Sequence, residues 1–433
     1  MRPYLDYKKQ FSFLLFGVLL IAPILFVSAQ SITDLRAKIS QKDSDIAALE
    51  AEIRAYQNQL ESIAEQKNSL SNSIKELDLT KKKLNTDIAV TQKKIDKTNL
   101  TIQSLSSSIG NKEEIIANNM ESLKSGIKQI SEFEGSSLVE VLLSRNDFSA
   151  AWNDIDNITA LYDKVRENTK QVKEVKGQLE GTRAETIQAK NELTALKSQL
   201  SDQQKIVVQN TNEKNQLLKQ TKNSEANYQI LLKDRIAQRD AFEKELRDYE
   251  AQLQYILDPS KLPAGRVLSW PLSNVLITQM FGKTVDARRL YVSGTHNGVD
   301  FRASTGTPVM AMADGTVLGV GDTDKTCYGA SYGKFVFIKY DNGLSSTFGH
   351  LSLTKVSEGQ KIKRGQVVAY SGATGHVTGP HLHVSLYASD AVKMSSKPSA
   401  ACNGRIYYLP VSPVNAYLDV LEYLPPYTSS MIK

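Results

Sequence analysis

Five histidines occur in this 433-residue sequence, and all fall in its last two fifths: His296, His350, His376, His381 and His383. The sharpest element is Gly379-Pro380-His381-Leu382-His383-Val384-Ser385-Leu386. Val384 and Leu386 continue an alternation that reads as a strand, and a period of two puts His381 and His383 on one face. Two imidazoles side by side with no nearby acid make a poor core, repelling when protonated and leaving ring nitrogens unpaired when neutral. A metal ion removes both problems. The second element, His296-Asn297-Gly298-Val299-Asp300, reads as a turn entering a strand. Histidine with carboxylate suits zinc, and three protein ligands with one open position make a catalytic rather than a structural site. Either element alone is weak, since a His-x-His pair is often a sheet coincidence. Both together in one domain, with His350 available as well, point to a metal centre. His376 sits in Gly375-His376-Val377-Thr378-Gly379 and is expected to be an exposed loop histidine, a groove-lining role being the alternative.

The elements that must position these residues begin after Asp258-Pro259. Ten of the twelve prolines lie at or beyond Pro259, and none lies between Ile24 and Asp258. Short β-rich runs such as Lys334–Tyr340 and Gln366–Tyr370, punctuated by glycine, imply a compact antiparallel β domain over 259–433. Two cysteines, Cys327 and Cys402, are too few for a disulfide-built scaffold. In an exporting chain they are permitted to pair, although spacing does not say whether they meet.

The long proline-free stretch has helical periodicity. A heptad register from Ile32 to Ile109 places apolar residues at 18 of 23 a and d positions, which demands a partner helix. A more polar seam runs from Ile158 to Leu231. The expected organisation is a first coiled-coil helix over 30–109, a tip of short helices over 110–157 and a return helix over 158–258, folded as an antiparallel hairpin. A parallel dimer of extended chains is the rival, so coiled-coil self-association is the partner to test. The expected fold class is therefore α + β in separate domains. At the N-terminus, Arg2, Lys8 and Lys9 precede an apolar run from Phe11 to Val27 and small residues before Gln30. Residues 1–29 read as a cleaved signal peptide, with an uncleaved anchor as alternative, and imply export.

Charge is uneven. The chain carries a net charge of +6, yet 259–433 holds 17 Lys+Arg against 10 Asp+Glu. That basic excess suggests a polyanionic partner for 259–433, and no nucleic-acid partner is expected.

Several motifs in order resemble a known family: Trp270-Pro271, Phe281-Gly282, His296-Asn297-Gly298-Val299-Asp300, Gly306-Thr307-Pro308-Val309, Gly349-His350-Leu351, Lys363-Arg364-Gly365-Gln366 and Thr378-Gly379-Pro380-His381-Leu382-His383. Over 266–388 the chain resembles lysostaphin/LytM-type zinc endopeptidases, which cut peptide cross-links of bacterial peptidoglycan. Carried over residue by residue, the resemblance implies one zinc per chain held by His296, Asp300 and His383, with His350 and His381 as the unligated catalytic pair. Phe348 replaces a frequent tyrosine and Lys283 a frequent arginine, neither in the zinc chemistry. The hairpin ahead of the domain is similar to exported murein hydrolases and hydrolase activators of cell division. That likeness implies a location at the periplasmic or extracellular wall face. It also implies a membrane-embedded, transporter-like division complex contacting 110–157, and autoinhibition by the hairpin. The competing function is a non-hydrolytic activator of murein amidases, but relatives of that kind lack the zinc residues present here.

Overall fold

The computed structural model describes residues 32–64, 69–135, 148–253, 255, 256, 258–284, 288 and 294–433. The N-terminal segment read as a signal and the apex of the expected tip lie outside them. Among the described residues, no helix is long and apolar enough to cross a membrane.

Among the described residues, four long helices precede the β domain: α1 (Ile32–Ala64), α2 (Leu70–Glu134), α3 (Phe148–Thr221) and α4 (Glu225–Gln252). The heptad run was expected to be one helix over 30–109. It is instead divided between α1 and α2, which lie antiparallel: Lys42 meets Asp96 at 3.4 Å, Lys93 meets Asp45 at 2.8 Å and Lys97 meets Asp43 at 2.5 Å. The apolar seam still selects the buried face, since Ile46, Leu60, Leu70, Leu84 and Ile95 are all buried. A seam specifies that a helix needs a partner; it does not specify which one, and the first half of this seam pairs with the second. Residues 110–134 and 148–157 continue α2 and α3 rather than forming a tip of short helices.

The contacts divide the chain into two units, Met1–Ala37 with Gln103–Glu180, and Lys38–Ile102 with Gly181–Lys433. In the first, α2 and α3 pack antiparallel, with Gly126 giving room to Val165 and Leu161. In the second, Asp78 on α2 takes Lys214 of α3 at 2.6 Å. The expected return helix is interrupted after Thr221, where Lys222 and Asn223 both take positive φ (50° and 55°). These left-handed residues turn the chain back, so that Arg235 of α4 reaches Gln220 of α3 at 2.7 Å.

The β domain is a ten-stranded, all-antiparallel sheet with the central order β1-β2-β9-β6-β5-β4-β7. Its strands include β1 (Ile277–Gln279), β2 (Val299–Arg302), β3 (Pro308–Met310), β4 (Gly315–Asp322), β5 (Lys334–Tyr340), β6 (Leu344–Thr354), β7 (Lys361–Ile362), β8 (Val367–Ser371) and β9 (His381–Ala388). One buried cluster, including Val299, Phe301, Val336, Phe348, Leu382 and Val384, fills the face away from the histidines. A separate hairpin, β10 (Lys393–Pro398) and β11 (Ile406–Val411), covers a second cluster. That cluster holds the Cys327–Cys402 disulfide, with Cα atoms 5.6 Å apart, so the two cysteines do meet.

Within the second unit the β domain also rests on the helices. Leu84, Ile206 and Tyr370 form a buried cluster. Asp202 of α3 binds Lys355 at 2.9 Å and accepts from Tyr370 Oη at 3.2 Å. Lys83 donates to the Thr305 carbonyl at 3.0 Å.

Candidate metal centre

Three neighbouring strands build the site. Asp300 on β2 lies opposite His383 on β9, and Gly349 on β6 lies opposite the same histidine from the other side. His381 pairs with Arg302, two places along the same face. His296 sits in the turn before β2, fixed by a backbone bridge to Gly282. That turn needs glycine at 298: a Cβ there would come within 2.5 Å of the Val384 carbonyl oxygen and 2.7 Å of the His383 ring.

His296, Asp300 and His383 converge, and all three are buried. His383 Nδ1 lies 2.9 Å from Asp300 Oδ1 and 3.1 Å from His296 Nε2, which is itself 3.2 Å from Asp300 Oδ1. Tetrahedral zinc bonded to nitrogen and oxygen at about 2.0–2.2 Å separates its ligand atoms by roughly 3.3 Å. The three atoms therefore already trace close to one face of a zinc tetrahedron, and the donor set fits the ion.

His350 and His381 flank this cluster with ring centroids 4.7 Å apart. His350 has φ +60°, uncommon for a residue with a Cβ, and its backbone N–H is held by the Tyr332 carbonyl at 2.7 Å. Its Nδ1 is 2.8 Å from the Thr374 carbonyl, His381 Nδ1 is 2.8 Å from the Gly379 carbonyl, and His296 Nδ1 is 3.0 Å from the Met280 carbonyl. A carbonyl only accepts, so each of these rings carries a hydrogen on Nδ1, and Nε2 of His296 and His381 face Asp300. His381 Nε2 is buried without a hydrogen-bond partner, 3.6 Å from Asp300 Oδ2.

The electrostatics follow from burial around one carboxylate. Burial opposes the charge of Asp300, but the imidazoles of His381 and His296, with hydrogen bonds from His296 and His383, hold its carboxyl well below the usual range. Burial, reinforced by His381 and His383, pushes His350 well below the ordinary imidazole value. His383 is lowered by burial against the pull of Asp300. For His296 burial also acts downward, but Asp300 outweighs it and the net direction is up. A divalent cation at this cluster would bind His296 and His383 in the neutral form, so loading it would release any proton His296 holds.

The cluster opens into a cavity of about 470 Å³ lined by His296, Ser331, Tyr332, His350, His376, His383 and Tyr417 on the β-domain side. Its other wall is α4, through Glu243, Leu246, Arg247 and Glu250. His376 is thus not an exposed loop histidine: its side chain is 11% exposed and Nδ1 meets Glu243 Oε1 at 2.5 Å. The loop sequence could not show that a helix more than a hundred residues earlier covers it. Phe242 anchors that helix, fully buried and edge-on to Tyr407 at 5.7 Å. Glu245 accepts from Ser399 Oγ at 2.9 Å and the Ala401 N–H at 3.1 Å, and Glu250 accepts from Tyr417 Oη at 2.8 Å.

His296, Asp300, His350, His381 and His383 come together at this centre, supported by Met280, Thr374, Tyr332, Ser385 and α4, which sequence reasoning did not single out. Only Ser385 carried a signal, standing two residues beyond His383 on the same strand face.

Residues 294–395, which carry all five histidines of the antiparallel β domain, match the family model Peptidase family M23. Among curated proteins, the chain is 41% identical over 105 residues to the peptidoglycan DD-endopeptidase ShyA of Vibrio cholerae, covering 23% of each protein. It is 33% identical over 152 residues to the DD-carboxypeptidase/endopeptidase Mpg of Neisseria meningitidis, 35% of this chain and 29% of that one. Cell division protein DipM of Caulobacter vibrioides is 33% identical over 130 residues, 30% of this chain and 19% of that one. The chain thus spans less than a third of each of these relatives. Among solved structures, a zinc-containing peptidase from Vibrio cholerae is 26% identical with a TM-score of 0.27, covering 37% of this chain and 41% of that one.

Proposed function

We propose that this chain is an exported, zinc-dependent endopeptidase that hydrolyses peptide cross-links of bacterial peptidoglycan during wall remodelling or daughter-cell separation. The observation that carries this reading is the convergence of His296, Asp300 and His383, with the rings of His350 and His381 packed beside them. His296, Asp300 and His383 are assigned as ligands of one zinc, and His350 and His381 as the catalytic pair. Zinc bound there supplies a Lewis acid for a carbonyl and an activated water. Because Thr374 and Gly379 occupy the Nδ1 hydrogens, each of the pair offers an Nε2 lone pair to the attacking water's proton. One of the two takes that proton, while the other, in its protonated form, hydrogen-bonds the oxyanion and later protonates the leaving amine. The basic excess of 259–433 suits a wall carrying carboxylates and phosphates. The relatives' named substrates support peptidoglycan and a place outside the cytoplasmic membrane.

With α4 lining the cleft, we read this arrangement as a resting form in which the chain's own helix occupies space a peptide needs. Release by a membrane-embedded division complex acting on 110–157, retention at the membrane by residues 1–29 and coiled-coil self-association all belong to the proposal. The covered cleft also favours a second reading, in which the domain activates a separate amidase when α4 leaves.

The test is zinc content and amine release from purified peptidoglycan by the full chain, with and without His383→Ala. About one zinc per chain and cleavage, both lost in the variant, are expected. Zinc binding without cleavage under any release condition, alongside stimulation of an amidase, would establish the activator instead.

A further inference from the structure

Three of the four clustered histidines are oriented by backbone carbonyls, and one is not. His383 presents Nδ1, not Nε2, to Asp300 and His296, while its Nε2 lies 2.8 Å from Ser385 Oγ. Ser385 is fully buried, on the same face of β9, two residues further on. A hydroxyl, unlike a carbonyl, can face either form of the ring, so what lies behind it decides the direction. Behind Ser385 is Tyr332 Oη at 3.5 Å, which is 2.8 Å from Tyr387 Oη, itself 3.2 Å from Thr347 Oγ1. All are buried, with no bulk water to substitute for a lost partner.

We infer that Ser385, backed by the Tyr332 hydroxyl, is the positioning residue that makes His383 an Nδ1 ligand. In the metal-bound form the hydrogen that His383 Nδ1 gives Asp300 is displaced, and Ser385 Oγ accepts from the His383 Nε2–H while directing its own hydrogen onward to Tyr332. The Nδ1 lone pair is thereby left free and aimed at the point shared with His296 Nε2 and Asp300 Oδ1. Tyr332 serves the site twice, because its backbone carbonyl also holds the His350 N–H. This inference rests on the reading of His296, Asp300 and His383 as a zinc site.

Zinc affinity of the full chain, measured by competition with a chromophoric chelator, tests it. Outer partners of ligand histidines typically contribute 10–100-fold in metal affinity. Ser385→Ala should weaken zinc by that factor and alter the visible spectrum of the cobalt-substituted chain, with metal-free melting little changed. Ser385→Thr, which keeps the hydroxyl, should restore most of the affinity. Tyr332→Phe keeps the ring and the carbonyl to His350, and should weaken zinc in the same direction by a smaller factor. Affinity within twofold of wild type in Ser385→Ala, or equally in Tyr332→Phe should the alanine variant not fold, overturns the inference while leaving the zinc site standing. A wild-type chain that binds no zinc overturns both.

Discussion

Glu243 of α4 meets His376 of the β domain at 2.5 Å, so a carboxylate of the helical region closes one side of the cleft that holds the histidine cluster. The contact is one of several on the same helix, and Phe242, one residue earlier, is its apolar anchor.

Phe242→Ala should therefore loosen α4 far more than Glu243→Ala. Removing a buried phenylalanine typically costs about 3–5 kcal/mol, whereas a single polar contact such as that of Glu243 with His376 contributes less. Hydrogen exchange over 225–252 should rise by orders of magnitude in Phe242→Ala, and wall hydrolysis should rise with it. Unchanged protection in that variant would show that α4 is held elsewhere; increased exchange without increased hydrolysis would remove occlusion as the control.

Docking of α4 should also weaken as pH rises. Burial raises the Glu250 carboxyl from 4.5 to about 7, against a smaller downward effect of the Tyr417 hydrogen bond. Between those values the folded state holds a proton that the undocked helix releases, so stability falls with increasing pH across that window. By the same linkage the effect is at most about 3 kcal/mol. Protection factors of the α4 amides, corrected for the base-catalysed intrinsic rate, should be lower at pH 8 than at pH 5.5, and Glu250→Gln should flatten the difference. A slope of the opposite sign would contradict the account.

Gly298→Ala should damage the metal centre without touching a ligand. The new methyl would meet the Val384 carbonyl and the His383 ring at distances no side chain tolerates. Overpacking of this kind costs about 1–3 kcal/mol. A lower melting temperature and a reduced zinc stoichiometry are expected together. Normal zinc content in a folded Gly298→Ala chain would mean that β2 and β9 are less constrained than their register implies.

The Cys327–Cys402 bridge closes a separation of 75 residues. Loop-closure entropy for that length gives a stabilisation of roughly 4 kcal/mol. The Cys327→Ser, Cys402→Ser double variant should lose stability on that scale. The loop it fastens includes Ser331 and Tyr332, whose carbonyls accept from His376 and His350. Zinc affinity should survive better than catalysis, because His296, Asp300 and His383 lie on or beside β2 and β9. Equal loss of both would place the bridge's influence on the whole domain.

Much of the fold and site was legible in the chain itself. The change from a proline-free, heptad-patterned stretch to short glycine-rich strands separated helices from sheet, because backbone chemistry and hydrophobic period act locally. His381 and His383 could be set on one face by the period of a strand, and the motif resemblance supplied Asp300 and His296. What the sequence could not decide was which surfaces meet. The heptad seam did not specify that α1 would fold back on α2. Nothing local to His376 announced Glu243, and nothing local to Ser385 announced Tyr332. Local pattern is fixed by neighbours along the chain, whereas a partner across space is chosen by the packing of the whole unit. Only the tertiary structure placed a helix over the cleft and a hydroxyl behind the ligand.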